Sequence, residues 1–160
     1  MGIKQQKDIK AFLVERLEDS VACDLFARQS ELLGQLVAGV TGKSANRAKT
    51  LKQTILPRIA LYKALMESRL PDELALALMR AYMMDVVAAQ KHASTAKMQV
   101  VPGFFAIYKR MFLHVMRTSD LWESTQDHGR SFFDARITKC LWHDACVDAG
   151  CPELCPLFCD

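Results

Sequence analysis

The sequence lacks the features that mark membrane-spanning, secreted and repetitive chains. None of its windows approaches the roughly 18 uncharged apolar residues that a membrane helix needs, so we expect no membrane partner. The opening stretch MGIKQQKDIK is too polar for the core of a signal peptide. The sequence also has no internal repeat and no low-complexity segment. These absences predict a cytoplasmic protein whose thiols stay reduced.

What remains is the composition of one ordinary globular domain. The chain has 160 residues and a mass of 18.0 kDa, with 51% hydrophobic and 24% charged residues. A chain of this size can enclose a hydrophobic core. We predict a single domain over 1–160, with a helical part over 1–118 and a cysteine-rich strand–helix part over 119–160. The composition leaves open whether the protein is a monomer or a homo-oligomer.

Apolar residues recur every three or four positions through most of the first 118 residues, which is the period of an amphipathic helix. The pattern predicts one or two helices over 5–38, then helices from Ser44 or Asn46 to about Ser68, over 72–92 and over 103–118. We interpret 93–99 as a polar connector. Pro57 predicts a kink or a break near Leu56. The helix over 72–92 is apolar nearly all round, so we expect it to lie in the middle of the bundle.

One segment has the alternation of a β-strand. Apolar Phe133, Ala135 and Ile137 alternate with polar neighbours, and this predicts a half-buried strand over about 132–138. Because one strand needs a partner, we expect a hairpin with about 120–126 or a partner from outside the sequence. The predicted fold class is mainly α: four to five packed helices followed by a small C-terminal α+β element.

A short basic stretch raises a different possibility for function. Lys43, Arg47, Lys49 and Lys52 lie in a run without carboxylates, and such a run can bind phosphates. No aromatic residue is interleaved with them, although single-strand binding surfaces need one. We interpret the run as a solvated loop and helix start, and expect no nucleic-acid partner.

The cysteines concentrate the chemistry of the chain at its C-terminal end. Five of the six cysteines fall within 140–160, at Cys140, Cys146, Cys151, Cys155 and Cys159. Zinc and iron–sulfur sites favour paired C-x2-C spacings, which this run lacks, so we expect neither a metal nor a cofactor. Three alternatives to a reactive thiol stay open: buried apolar cysteines, disulfides, and a metal-binding end of a non-enzymatic helical module, with His143 as the fourth ligand.

Cys159 is the strongest candidate nucleophile among them. It follows the aromatic Phe158 and precedes the carboxylate of Asp160. A thiol attacks only as the thiolate, so it needs a lowered pKa or a nearby base. Asp160, Glu153 and His143 are the candidate bases.

The C-terminal pattern resembles the L-2-amino-thiazoline-4-carboxylic acid hydrolase family. The resemblance spans about 50–160. It is carried by the strand and Cys140, by Cys146, by the run Gly150-Cys151-Pro152-Glu153-Leu154, by Phe158-Cys159, by residues 56–65 (LPRIALYKAL) and by the pair Trp122-Glu123.

The resemblance implies a hydrolase that acts on a small molecule without a cofactor. Its reaction opens a cyclic isothiourea, 2-amino-thiazoline-4-carboxylate, to N-carbamoyl-cysteine. We assign Cys159 as the nucleophile and Glu153 or Asp160 as the general acid/base. Substrate binding is assigned to Arg136, Trp122 and His143, with Arg130 as an alternative to Arg136 for the substrate carboxylate. A surface ion pair is the simpler interpretation of both arginines.

The sequence departs from the family pattern at its end. Family members continue beyond this point into further strand-like sequence, whereas this sequence ends at Asp160, directly after Cys159. Two explanations stay open: the chain is truncated and lacks strands that pair with 132–138, part of the site and hence activity, or the family pattern applies to it only in part.

Overall fold

The computed structural model describes residues 3–159 and is mainly helical. The helices are α1 (Ile3–Arg16), α2 (Asp19–Ala38), α3 (Ala45–Thr50), α4 (Leu56–Met66), α5 (Asp72–Ala81), α6 (Ala89–Gln99), α7 (Phe104–Thr118), α8 (Leu141–Asp148) and α9 (Pro156–Cys159). The strands are β1 (Trp122–His128) and β2 (Phe133–Cys140), and a 3-10 turn spans Pro152–Leu154. The predicted fold class, a helical bundle followed by a small C-terminal α+β element, is confirmed.

Two π-helical segments join pairs of these helices into longer rods. Leu51–Ile55 connects α3 to α4, and Tyr82–Ala88 connects α5 to α6. The described chain up to Ser119 therefore forms five continuous helical rods, in agreement with the predicted four to five helices. Residues 93–99, which we predicted as a connector, lie within α6; their alanine, lysine, glutamine and methionine residues are good helix formers. No helix within 3–159 is both long enough and apolar enough to cross a membrane.

Pro57 widens its helix where we predicted a kink or a break. A proline has no N–H to donate to the carbonyl four residues earlier, which here is that of Gln53. The backbone turns π-helical just before it, over Leu51–Ile55. The side-chain amide of Gln5, in the orientation that satisfies both of its polar atoms, donates to Gln53 O at 2.5 Å and accepts from Arg58 Nε at 2.7 Å. A side chain from α1 thus replaces the missing helical hydrogen bond.

Helix α4 occupies the centre of the bundle. Eight of its 11 residues are buried, and α2 and α5 pack along it most extensively. We predicted that position for the helix over 72–92, and this was wrong: Leu74, Leu76 and Met84 are 43%, 43% and 47% exposed. In α5 the apolar residues that reach the core lie on one face of the helix, whereas α4 has buried apolar residues on nearly every side.

One polar side chain is fully enclosed among these helices. Gln29 of α2 is 0% exposed. Its Nε2 donates to Gln6 Oε1 at 2.9 Å and to the Pro57 carbonyl at 3.2 Å, and its Oε1 accepts from Gln6 Nε2 at 3.0 Å. Because these partners lie on α1 and α4, the residue links three helices without leaving its own amide unpaired.

The two strands form an antiparallel hairpin that packs on α7. The register pairs Trp122 with Cys140 and His128 with Phe133, which confirms the predicted hairpin partner. The ring of Phe133 lies 5.1 Å from that of Phe112 and 6.3 Å from that of Phe105, centroid to centroid. This aromatic cluster holds the hairpin against the helix.

The central position of α4 can be tested by truncating one buried leucine. Leu61 is 0% exposed and Leu76 is 43% exposed. We expect Leu61→Ala to lower the free energy of unfolding by about 2–5 kcal/mol, because it leaves a cavity in a packed core. Leu76→Ala is the matched control, with an expected loss below about 1 kcal/mol. Urea unfolding followed by circular dichroism measures both, and equal losses would contradict the assignment of α4 as the central helix.

Candidate functional site

The cysteine-rich segment folds back onto the bundle through one tight turn. Helix α8 ends before Gly150, whose φ of 70° lies in the left-handed region that favours glycine. The next residue, Cys151, then donates its N–H to the carbonyl of Cys146 at 2.9 Å. The chain reversal brings residues 151–158 against α4.

Two thiols meet inside this turn. Cys146 and Cys151 are 0% and 2% exposed, and their side chains are hydrogen-bonded to each other. The hydrogen bond from Cys146 lowers the pKa of Cys151, and the positive charge of Lys63 lowers it further. The same contact, together with burial, raises the pKa of Cys146. Cys151 is therefore the member of the pair that becomes the thiolate first.

A carboxylate stands beside this pair. The buried hydroxyl of Tyr62 on α4 donates to Glu153 Oε1 at 2.6 Å. This hydrogen bond is the main reason that the pKa of Glu153 is lowered, and Lys63 contributes to it. Burial first, and the contact with Glu153 second, raise the pKa of Tyr62. Near neutral pH the pair is thus a protonated phenol holding an ionised carboxylate.

Arg58 extends the same face of α4 by one turn. Residues four apart lie on one side of a helix, so Arg58 and Tyr62 both face the C-terminal segment. The Arg58 guanidinium lies over the ring of Phe158, with its carbon 5.7 Å from the ring centroid. Burial lowers the pKa of Arg58. The candidate site therefore combines groups from α4 (Arg58, Tyr62 and Lys63) with groups from the C-terminal turn (Cys151, Glu153 and Phe158).

The predicted catalytic residues fall partly within this region. Glu153 lies at its centre. Cys159 is the last residue of α9, next to Phe158, but its side chain lies outside the described structure. Asp160 lies outside the described residues altogether. The roles of Cys159 and Asp160 stay predictions.

The predicted substrate-binding residues lie on the hairpin and on α8. Arg136 is exposed on β2, opposite Thr125. His143 is exposed on α8, with its Nδ1 3.6 Å from the carboxylate of Asp144. The ring of Trp122 stacks on that of Trp142 at 5.8 Å. Its buried Nε1 has no acceptor within the described part of the chain. Their assignment to substrate binding also stays a prediction.

Sequence reasoning missed the three polar residues of α4. Arg58, Tyr62 and Lys63 interrupt a helix that is otherwise apolar, LPRIALYKALM. A polar side chain on a helix that is buried nearly all round needs a partner, and this was the signal available. The identity of the partner was not, because Tyr62 and Glu153 are 91 positions apart in sequence.

The described residues also bear on a metal site. Within 3–159 no three histidine, cysteine, aspartate or glutamate side chains are grouped so that they could hold a metal ion. The hydrogen-bonded pair of Cys146 and Cys151 supplies two thiols, and a structural zinc site needs four ligands.

The fold and this site define a small helical protein with a cysteine–carboxylate centre at its C-terminal end. The model of one protein family, L-2-amino-thiazoline-4-carboxylic acid hydrolase, matches residues 48–160, and the chain belongs to that family. The match includes both α4 and the C-terminal turn, the two sides of the site. No curated protein and no solved structure matches the chain at a significant level.

The Tyr62–Glu153 hydrogen bond makes a prediction about pH. A lowered carboxyl pKa stabilises the fold above the ordinary glutamate value of about 4.3, and that stability is lost as the pH falls through the folded-state pKa. We expect Tyr62→Phe to raise the pKa of Glu153 and to cost about 1 kcal/mol at pH 7, at the low end for such a bond because Glu153 is exposed. The cost should shrink towards pH 3. Urea unfolding at several pH values measures it, and a cost independent of pH would contradict the assignment.

The thiol pair makes a second prediction. Removing the donor with Cys146→Ala should raise the pKa of Cys151, so that its alkylation by iodoacetamide reaches half its maximal rate at a higher pH. Cys146→Ser keeps a hydrogen-bond donor and should keep the midpoint low. Tandem mass spectrometry of the peptide 140–160 assigns the alkylated cysteine to Cys151, with the exposed Cys23 as the internal reference. An unchanged midpoint in Cys146→Ala would refute the contribution of Cys146.

Proposed function

We propose that this protein hydrolyses a cyclic isothiourea that carries a carboxylate, opening 2-amino-thiazoline-4-carboxylate to N-carbamoyl-cysteine. One observation supports this most: an ionised carboxylate, Glu153, is fixed by Tyr62 beside a thiol of lowered pKa, Cys151. Both lie in the segment that matches the hydrolase family. A carboxylate and a reactive thiol are the two groups that this ring opening uses.

The carboxylate suits the charge of the substrate. Protonated isothioureas are planar cations with N–H groups that point in parallel directions, and a carboxylate binds such a group through two charge-assisted hydrogen bonds. Glu153 remains ionised near neutral pH because Tyr62 donates to its Oε1. Glu153 stabilises the protonated form, in which the ring carbon between sulfur and the two nitrogens is a better electrophile than in the neutral ring.

The ring then opens in two displacements at that carbon. A cysteine thiolate adds to it, the bond from this carbon to the ring sulfur breaks, and the released sulfur takes up a proton. The substrate is now held to the enzyme as an open-chain isothiourea. Water adds to the same carbon, the bond to the enzyme sulfur breaks, and N-carbamoyl-cysteine leaves. The overall change is the addition of one water molecule.

Two cysteines compete for the role of nucleophile. Cys159 is the predicted one, with Asp160 or Glu153 as the general acid/base. Cys151 is the alternative, because its pKa is lowered and it lies beside Glu153. Tyr62 acts as a donor rather than as a base, because its raised pKa keeps its proton in place.

Turnover by single-residue variants tests this proposal. Incubation with 2-amino-thiazoline-4-carboxylate, followed by chromatography and mass spectrometry of N-carbamoyl-cysteine, measures ring opening directly. We expect Glu153→Gln to lower the rate at least about 100-fold, the lower range for a lost acid/base group. One of the two variants Cys159→Ser and Cys151→Ser should abolish turnover.

The matched control is Cys23→Ser, since Cys23 is an exposed cysteine of α2, away from the turn. It should retain full turnover. Full activity in both Cys159→Ser and Cys151→Ser would remove the thiol from the mechanism. A wild-type protein that forms no product would refute the proposed reaction.

A further inference from the structure

A cavity of about 410 Å³ lies beside Arg58, whose guanidinium also covers the ring of Phe158. Its walls come from α1, the two π-helical segments, α4 and α6, and they include Lys4, Gln5, Arg58, Tyr82, Val87 and Lys91. The volume falls in the range of about 300–1,000 Å³ typical of small-molecule sites. None of the residues predicted for the site from sequence lines it.

The π-helical segments help to explain why a cavity exists at this place. A π-helical turn widens the helix, and such turns are frequent at functional sites. Thr54 comes from the segment before Pro57, and Tyr82 and Val87 come from the segment between α5 and α6. Two widened segments therefore face the same space.

The cavity is positively charged. Three cations, Lys4, Arg58 and Lys91, line it together with one carboxylate, Asp8. Gln90 connects two of these groups, because it accepts from Lys4 Nζ and donates to Asp8 Oδ2, both at 3.3 Å. The cationic excess favours an anionic ligand.

Arg58 is the cation best prepared to bind such a ligand. Its Nε donates to the Gln5 amide oxygen at 2.7 Å, and its face lies on the ring of Phe158. Among the described residues no carboxylate forms an ion pair with it, and its two terminal nitrogens have no hydrogen-bond acceptor. A partly buried guanidinium with free parallel N–H groups matches the geometry of a carboxylate.

We propose that this cavity binds the carboxylate of a small heterocyclic acid, with Arg58 as the bidentate anchor and the Tyr82 hydroxyl and Gln5 amide beside it. The apolar side chain of Val87 supplies a wall for the ring of the ligand. That the acid is the substrate of ring opening rests on the proposed function; the binding itself does not. In that case Arg58 takes the role that sequence reasoning gave to Arg136.

The position of Arg58 connects the cavity to the candidate site. The guanidinium lines the cavity and also covers Phe158, the residue before Cys159. The same side chain therefore contacts both the cavity and the C-terminal segment. Arg58 thus supplies a cation for the acid, and Glu153 supplies a carboxylate for the amidine.

Two aromatic probes test this without any turnover. 2-Aminothiazole-4-carboxylate has the acid on a ring that water does not open, and 2-aminothiazole lacks the acid. Titration of the full chain by calorimetry or ligand-observed NMR gives both dissociation constants. We expect the acid to bind at least about tenfold tighter to the wild type, because charge-assisted hydrogen bonds to a partly buried guanidinium contribute that much.

Arg58→Gln should bring the two dissociation constants to within about twofold of each other. Arg16→Gln is the matched control: Arg16 also lies on a phenylalanine ring, at 5.5 Å, but it already pairs with Asp85 and does not line the cavity. It should retain the tenfold preference. Arg58→Lys keeps the charge without the fork and should retain only part of the preference.

A steric variant keeps the test decisive if Arg58→Gln fails to fold. Val87→Phe fills the cavity and should weaken binding of both probes while leaving Arg58 in place. Equal binding of the two probes by the wild type, or a preference that survives Arg58→Gln, would overturn the inference. A preference that depends on Arg58, in a protein that forms no N-carbamoyl-cysteine, would support the cavity and contradict the proposed reaction instead.

Discussion

The burial of α4 is the constraint on which the rest of the structure depends. The apolar residues of α4 are buried on nearly every side, so each of its few polar side chains needs a polar or charged partner where it emerges from the helix. Arg58 and Tyr62 leave on the side where the C-terminal turn returns. The packing of α4 thereby determines which side chains of the bundle contact the cysteine-rich segment.

Pro57 has effects in two directions from the same point. By withholding an N–H it leaves the Gln53 carbonyl to Gln5, which in turn accepts from Arg58. The π-helical segment before Pro57 borders the cavity. The helix after Pro57 positions Tyr62 for its hydrogen bond with Glu153. Arg58, proposed for substrate recognition, and Tyr62, which holds Glu153, would then share a single rigid support, as functional groups on helices generally require.

The sequence predicted those parts of the fold that follow from local patterns. Period-two alternation located β2, and the three- and four-residue spacing of apolar residues located the helices of the bundle. It failed where tertiary packing decided: the helix over 72–92 has apolar residues nearly all round, yet Leu74 and Leu76 remain exposed. The spacing of apolar residues indicates which face of a helix is apolar, but it does not indicate which helix lies at the centre of the bundle.

The same limit applies to the candidate site. Glu153 was predictable because it lies in a short run of chemically active residues near the C-terminal end. Its partner Tyr62, the pairing of Cys146 with Cys151 and the cavity at Arg58 depend on contacts between distant segments, and no local spacing encodes such contacts. An isolated arginine in a helix, such as Arg58, looks no different from a surface arginine until its surroundings are known.

The most direct measurement of the central claim is the mass of one tryptic peptide after brief incubation of the protein with 2-amino-thiazoline-4-carboxylate and an acid quench. No lysine or arginine follows Lys139 in the sequence, so trypsin releases residues 140–160 as one peptide with all five C-terminal cysteines. We expect the mass of this peptide to increase by the mass of one substrate molecule and to return to its original value as N-carbamoyl-cysteine appears. Product that forms while this peptide remains unmodified at every quench time would contradict a thiol at the C-terminal turn as the nucleophile.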